Sequence, residues 1–398
     1  MKISVLYTGG TIGCIGSPLK PMPADQFADA WHSMLGPLIA QQFPGVQLTF
    51  VDSRTGTLDS TDLQPTHWCL MARDILEHYA ECDGWIVLHG TDTMEFTGAA
   101  LPFLLSSFSA HGAATAALSK PVILTGSQRP MFKEGPPGQI VLDENSDASE
   151  NFRGAIAAAQ SGTPEVCLCF DRRLYRANRI RKASVARPAT FSSSNYPPLG
   201  EYGSRFTIDR EHVLPPVNDE VSLDNPSLRI KTIAQLDYIE ANIDKHPVIP
   251  FKAFPASYQF DESAGASSGL IAALIDACVA QGIKGLILES YGAGNFPAGS
   301  PAKPSHGAAY RALAKANAEG VVIVNCTQVI GGRVRSNYAA GTWLSEVGAL
   351  SAGDMTPSAA LAKLMILLTA AGYHNWNREE VEALFNRNLL GERSDRAD

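Results

Sequence analysis

Short β-rich apolar runs alternate with stretches of helical periodicity along most of the chain, a pattern that predicts parallel sheets covered by helices on both faces. In the first half the runs fall at 3–8, 47–52, 84–88, 121–125 and 165–170. Each is short and nearly continuous in apolar residues, as strands buried on both faces require. Between them, 64–79 carries Trp68, Met71, Ile75 and Tyr79 at helical spacing, and a second helix is expected over 94–105. The alternation resumes late in the chain, with strands near 247–253, 284–289 and 321–325 and helices near 267–281, 306–318, 356–371 and 377–386.

The fold class is therefore α/β, with a larger N-terminal domain built on a mainly parallel sheet and a smaller C-terminal parallel-sheet domain. The expected boundaries are 1–203 for the first, 247–398 for the second and 204–246 for a linker between them. That linker holds prolines at 215, 216 and 226, many charges and little periodicity, so an irregular excursion is expected. Segments 132–145, with Gly135-Pro136-Pro137-Gly138, and 296–305 read as surface loops.

Composition narrows the function classes. The 398 residues suffice for more than one core, and 45% hydrophobic with 18% charged residues is ordinary for a globular protein. A net charge of -8 argues against a general affinity for nucleic acid or an anionic membrane. The longest apolar candidate, 270–280, is interrupted by Asp276 and is shorter than the roughly 18 residues of a membrane helix. The apolar start ends at Tyr7 and runs straight into a Thr-Gly motif, so it is not a secretory signal, and a cytoplasmic location is the expectation. The seven cysteines show no CxxC spacing and fit reduced core thiols; Cys167 and Cys169 should share one face of a strand. No metal site and no cofactor are expected.

Two strand ends carry the candidate chemistry. Thr8-Gly9-Gly10-Thr11-Ile12-Gly13 follows the first strand, and His89-Gly90-Thr91-Asp92-Thr93 follows the strand at 84–88. Strand ends are where active sites gather in open α/β sheets, and a threonine hydroxyl there is a candidate nucleophile. The glycines let backbone amides approach a ligand, as an oxyanion hole or a phosphate cradle. Neither Walker A nor the dinucleotide fingerprint is satisfied. A capping threonine in a tight turn is the competing reading for Thr11, and an N-cap for the following helix is that for Asp92 or Thr93. His89 beside glycine is better suited to a structural, hydrogen-bonded imidazole than to catalysis. A threonine nucleophile needs an activating base, and none is local. Lys182 closes the run Arg176-Ala177-Asn178-Arg179-Ile180-Arg181-Lys182, which by composition reads as a solvated basic face.

The ordered set of motifs resembles the bacterial L-asparaginases, and among them the cytoplasmic type I branch, over nearly the full length. It comprises 7–13, Asp59-Ser60, 89–94, 124–128, 176–182 with 194–199, and 290–295, extended by 353–356 and Leu389-Leu390-Gly391-Glu392. The resemblance implies that Thr11 is the nucleophile, that Thr91 and Asp92 work with Lys182, and that amide hydrolysis proceeds by double displacement through an acyl-enzyme. Backbone amides near Thr11 and Thr91 would hold the oxyanion. Asp59, Ser60 and Thr61, with Asp92, fall on the clamp for the substrate's α-carboxylate and α-ammonium. Asn295 falls on the residue that reaches the site from a neighbouring subunit, so the resemblance implies a homo-oligomer, a tetramer of tight dimers, acting on a small amino acid.

The chain departs from the family at 16–21, where a loop tyrosine is expected near residue 19 and Leu19 stands instead. The segments 132–145, 200–247 and 298–305 are also longer than expected. Side activity on glutamine is left open because one methylene changes pocket discrimination by only about 1–3 kcal/mol. Two other readings share the motifs: the fold-related amidotransferase subunit, which usually carries an extra N-terminal domain, and a catalytically weak amino-acid-binding protein.

Overall fold

The apolar runs form strands close to where their pattern places them. In the computed structural model, which describes residues 1–136, 138–261, 266–300, 302–335 and 339–394, the chain divides into two compact units. The first comprises Met1–Ser109 with Ala113–Glu240, and the second Ala110–Gly112 with Ala241–Asp398.

The first unit is built on an eight-stranded sheet. Its spatial order is Phe206–Ile208, Gly200–Tyr202, Arg173–Arg176, Val166–Phe170, Val122–Thr125, Gly84–Leu88, Lys2–Tyr7 and Gln47–Val51. The run from Val166–Phe170 to Gln47–Val51 is parallel, and the remaining edge is antiparallel. Every residue of Gly84–Leu88 and of Val166–Phe170 is buried, which explains their unbroken apolar sequence. On one face Ile3, Val5, Tyr7, Ile86 and Leu88 join Phe27 and Trp31 of the Ala24–Met34 helix and Phe152 and Ile156 of the Ala148–Gln160 helix in a single core.

The strand order fixes where a ligand can bind. From Lys2–Tyr7 the chain goes first to Gln47–Val51 on one side and then to Gly84–Leu88 on the other. The order therefore reverses between Lys2–Tyr7 and Gly84–Leu88, and the crevice beyond the carboxyl ends of strands at such a switch point is the usual binding place in open α/β sheets. In register, Tyr7 pairs with Leu88, so Thr8 and His89 leave the sheet side by side.

Two regions expected to be irregular are ordered. Within 204–246 lies a 17-residue helix, Pro226–Asn242, besides the edge strand Phe206–Ile208. Pro226 opens the helix: the missing N–H costs nothing at the first position, and the Asn225 side chain accepts from Ser227 N at 2.9 Å. Segment 132–145 holds a hairpin, Phe132–Gly135 against Gln139–Leu142; Pro137 lies outside the described residues. Of the third long segment, Pro301 lies outside them too, and Pro304–His306 forms a short 3-10 turn.

The second unit carries a four-stranded parallel sheet in the order Val248–Lys252, Gly285–Ser290, Val322–Thr327 and Leu350–Ser351. Helices Leu270–Ala280 and Ala308–Ala318 share a core with it through Ile275, Leu286, Leu288, Leu313 and Ile323. The Pro357–His374 helix, capped by the Thr356 hydroxyl, is buried over most of its length. Among the described residues no helix is long and apolar enough to cross a membrane.

The cysteines are free thiols, all buried except the half-buried Cys278. Cys167 and Cys169 both join the core face of Val166–Phe170.

Candidate active site

The two Thr-Gly turns touch backbone to backbone. Gly9 and Gly10 hold φ of 99° and 77°, where L side chains are strained. A Cβ on Gly10 would lie 2.3 Å from the Gly90 Cα, and one on Gly9 would lie 2.3 Å from the Leu58 carbonyl oxygen. Thr11, half-buried, opens a 3-10 turn just past Gly10, and Thr91, buried, follows Gly90. Gly10 N donates to Leu58 O at 3.0 Å and Leu58 N donates to Thr8 O at 3.0 Å, which brings the 58–62 segment alongside.

That segment supplies the third wall. Ser60 is buried, its Oγ 2.5 Å from where a Cβ on Gly90 would sit, and its carbonyl accepts from the Thr93 hydroxyl at 2.8 Å. The Thr93 hydroxyl is thus not an N-cap for the Met94–Leu104 helix; it ties two turns of the site together. Asp59 caps the Ser60–Asp62 turn, accepting from both the amide and the hydroxyl of Thr61 at 3.0 Å. Asp59 and Thr61 are exposed and face each other.

Lys182 closes the constellation from the far side of the sequence. Its Nζ lies 2.8 Å from Thr91 Oγ1 and 2.5 Å from Asp92 Oδ1. A charged lysine has donors and no acceptor, so Thr91 accepts from it and its own hydroxyl hydrogen is directed elsewhere. The Lys182 side chain is largely enclosed, whereas that of Asp92 is 55% exposed.

The basic run leading to Lys182 is not a solvated face. Arg176, Asn178 and Arg179 are buried. Arg176 belongs to the sheet, donates through Nε to Glu165 Oε2 at 2.6 Å and stacks over Tyr196 with its Cζ 4.6 Å from the ring centroid. The turn Ala177–Arg179 closes on the Met94–Leu104 helix at Gly98, where a Cβ would meet the Ala177 carbonyl oxygen at 3.0 Å. Gly98, on the helix that follows Thr91, thereby lets the lysine-bearing segment approach.

His89 is structural. It is wholly buried; its Nδ1 lies 2.7 Å from Gly90 O and its Nε2 2.9 Å from Thr97 Oγ1. A carbonyl only accepts, so Nδ1 carries the proton and Nε2 accepts from Thr97. Burial pulls the imidazole pKa down to about 4, the bond to Gly90 opposing it, so the ring is neutral at pH 7.

A family model described as asparaginase, N-terminal, matches residues 2–214, and a second, described as the glutaminase/asparaginase C-terminal domain, matches 265–385. The chain belongs to the asparaginase family. L-asparaginase 1 of Escherichia coli (strain K12) is 32% identical over 392 residues, covering 98% of this chain and 97% of that one. The 60 kDa lysophospholipase of Mus musculus is 31% identical over 410 residues, covering 98% of this chain and 62% of that one. Among solved structures, L-asparaginase I from Vibrio cholerae superposes with a TM-score of 0.71 at 29% identity, covering 99% of both chains.

Against this asparaginase background two positions stand out. The segment around Leu19 is a short hairpin, Cys14–Ile15 against Lys20–Pro21, with Leu19 exposed at its turn. The tyrosine beside the Thr11 turn is Tyr7, whose Oη donates to Met22 O at 3.2 Å and whose ring stacks on Phe27. Burial, then the neighbouring Cys14, raises the Tyr7 pKa above its ordinary value, so it stays a phenol. Cys14 is pushed up to about 11 by burial and by Asp59 and donates its thiol to Gly10 O at 3.3 Å. Both hold the turn in place. Asn295 belongs to the second unit, at the end of the Tyr291–Asn295 turn, and its Oδ1 is buried without a hydrogen-bond partner among the described residues.

Proposed function

We propose that the protein is an L-asparaginase, hydrolysing the side-chain amide of L-asparagine to L-aspartate and ammonia. The observation that carries this reading is the Lys182 Nζ held between Thr91 Oγ1 and Asp92 Oδ1 at the switch point of an asparaginase-family sheet. In this reading the Thr11 hydroxyl attacks the amide carbon, and backbone amides of the two Thr-Gly turns bind the oxyanion, each donor worth roughly 3 kcal/mol. The Thr91 hydroxyl, held by Lys182, passes the proton that Thr11 loses on to the departing nitrogen. Water then attacks the Thr11 ester, its proton passing through the same hydroxyl to the Thr11 oxygen, so that aspartate leaves and both hydroxyls are restored.

Ser60 would receive the substrate's α-carboxylate and Asp92 its α-ammonium, a carboxylate and hydroxyls being what a free amino acid requires. Asp59 and Thr61 would shape that clamp, and the unpartnered Oδ1 of Asn295 suits a role completed by a second copy of the chain. A cytoplasmic homo-oligomer and some turnover of glutamine belong to the same reading.

Ammonia release from L-asparagine by the purified protein, beside Thr11→Ala and Thr91→Val, tests it. Release by the wild type and a loss of about 10²-fold or more in both variants is expected; wild-type release no higher than theirs overturns it. Glutamine in the same format reads the side activity.

A further inference from the structure

Lys182 is gripped at both ends by one short stretch of chain. Its Nζ bonds Thr91 and Asp92, while its main-chain N–H donates to Glu95 Oε2 at 2.6 Å. Thr91 and Asp92 lie just before the Met94–Leu104 helix and Glu95 in its first turn. We propose that Glu95 is a positioning residue for Lys182: its carboxylate fixes the lysine main chain so that Nζ arrives at the Thr91 hydroxyl. The proposal rests on the reading that Lys182 serves amide hydrolysis.

Three observations converge on it. Lys182 sits in a two-residue strand, Arg181–Lys182, paired antiparallel with Phe191–Ser192. Ala183 N donates to Thr190 O across that hairpin, so by the alternation of an antiparallel ladder the Lys182 N–H points away from its partner strand. It needs another acceptor. Glu95 supplies it with a charge-assisted bond from the first turn of a helix, where a carboxylate is favoured by the helix dipole. Finally, the lysine side chain is long and many-jointed, and an ammonium holds its place only as well as the chain that carries it. So short a hairpin supplies little rigidity of its own, and Glu95 refers it to the helix that begins just past Thr91.

A carboxylate that only fastened the hairpin would affect folding and not Nζ, and the test separates the two roles. Ammonia release is measured for the wild type, Glu95→Ala and Glu95→Gln, each with and without Lys182→Met, alongside thermal midpoints. Glu95→Ala is expected to lower kcat by roughly ten- to a hundredfold with KM little changed, the cost of misplacing a catalytic group by about 1 Å. Glu95→Gln, whose amide oxygen still accepts, should stay within about threefold of wild type on the same argument. On the Lys182→Met background Glu95→Ala should cost nothing further, because it acts only through the missing side chain. Wild-type kcat in Glu95→Ala, an equal loss in Glu95→Gln, or an undiminished loss on the Lys182→Met background each overturns the proposal. Independently of turnover, the ¹⁵Nζ resonance of Lys182 should shift or broaden in Glu95→Ala and not in Glu95→Gln. An unmoved resonance refutes the positioning role, whereas absent ammonia release by the wild type with a shifted resonance refutes only the asparaginase reading.

Discussion

Lys182 reaches across 91 residues of sequence to place its Nζ 2.8 Å from the Thr91 hydroxyl. The contact decides what a substitution should do. Lys182→Met keeps the stem that packs in the site and removes the donors to Thr91 and Asp92, so ammonia release from asparagine should fall by about 10²–10⁴-fold, the range for a lost acid-base group. Lys182→Arg should not restore it, since a planar guanidinium cannot place one compact donor between the two oxygens. Circular dichroism should be unchanged in both, because the side chain is not core packing. An arginine variant within tenfold of wild type would show that any cation there suffices.

The meeting of Gly10 and Gly90 makes a stability prediction at the same place. An alanine at Gly10 adds a Cβ 2.3 Å from a backbone atom that cannot rotate away, at a φ of 77°. With ψ at 177° the backbone lies in a region open essentially to glycine alone, and that strain of about 1–3 kcal/mol with overpacking of about 1–3 kcal/mol should together lower stability by roughly 2–6 kcal/mol. Gly45→Ala is the control, with φ of 84° and open space around the new methyl, and should show the strain alone. Urea midpoints of the two variants measure the difference; equal values would mean that the Gly10 turn relaxes freely.

Much of this architecture was legible because the central strands are buried on both faces and so announce themselves as unbroken apolar runs. The Pro226–Asn242 helix was not, for two physical reasons. Its buried positions include Thr232 and Gln235 beside Leu236 and Ile239, which blurs the apolar stripe, and Pro226 marks a helix start where a proline is more readily read as a breaker. The basic run reads as a solvated face because the acid that neutralises Arg176 is Glu165, just before the neighbouring strand Val166–Phe170 and invisible to local charge counting. Within the site, Thr11, Thr91 and Asp92 stand at strand ends and show in the sequence. Lys182 enters only through the family resemblance, and nothing in composition or spacing joins it to Glu95, because bonds between distant segments leave no trace there.

His89 ties stability to pH. The imidazole has an ordinary pKa of 6.5, and burial lowers it to about 4 in the folded protein. The unfolded chain therefore binds a proton between these values that the folded chain refuses. The neutral ring's contribution is complete above pH 6.5 and is lost as pH falls toward 4, by up to roughly 3 kcal/mol in all. His89→Gln can still donate to Gly90 O and accept from Thr97, and has nothing to titrate. The difference in unfolding free energy between wild type and variant should shrink as pH drops from 7 to 4.5; a constant difference would place the His89 pKa near its ordinary value.

The fully buried pair of Lys363 and Glu392 makes the sharpest claim about the second unit. Glu392 accepts from Lys363 Nζ and from the amides of Leu389 and Leu390, the latter at 2.7 Å, while Lys363 also donates to Arg387 O. Burial pushes the carboxyl up, but the Lys363 ammonium and these bonds outweigh it, holding Glu392 below its ordinary value of 4.5. A depressed carboxyl contributes stability that is complete above about pH 4.5 and is lost as pH falls through the folded value. Removing one partner leaves the other charge unpaired in the interior, so Lys363→Met and Glu392→Leu should each cost about 3–5 kcal/mol. The double variant buries no charge at all and should be more stable than either single one, since replacing both ions with apolar groups is often close to neutral. Thermal melts at pH 7 give the order, and the Glu392→Leu melts should also lack the part of the wild-type acid destabilisation that this carboxyl causes. Additive losses in the double variant would show that the two side chains act separately, through packing, and that their charge pairing does not hold the C-terminal Leu389–Glu392 segment to the Pro357–His374 helix.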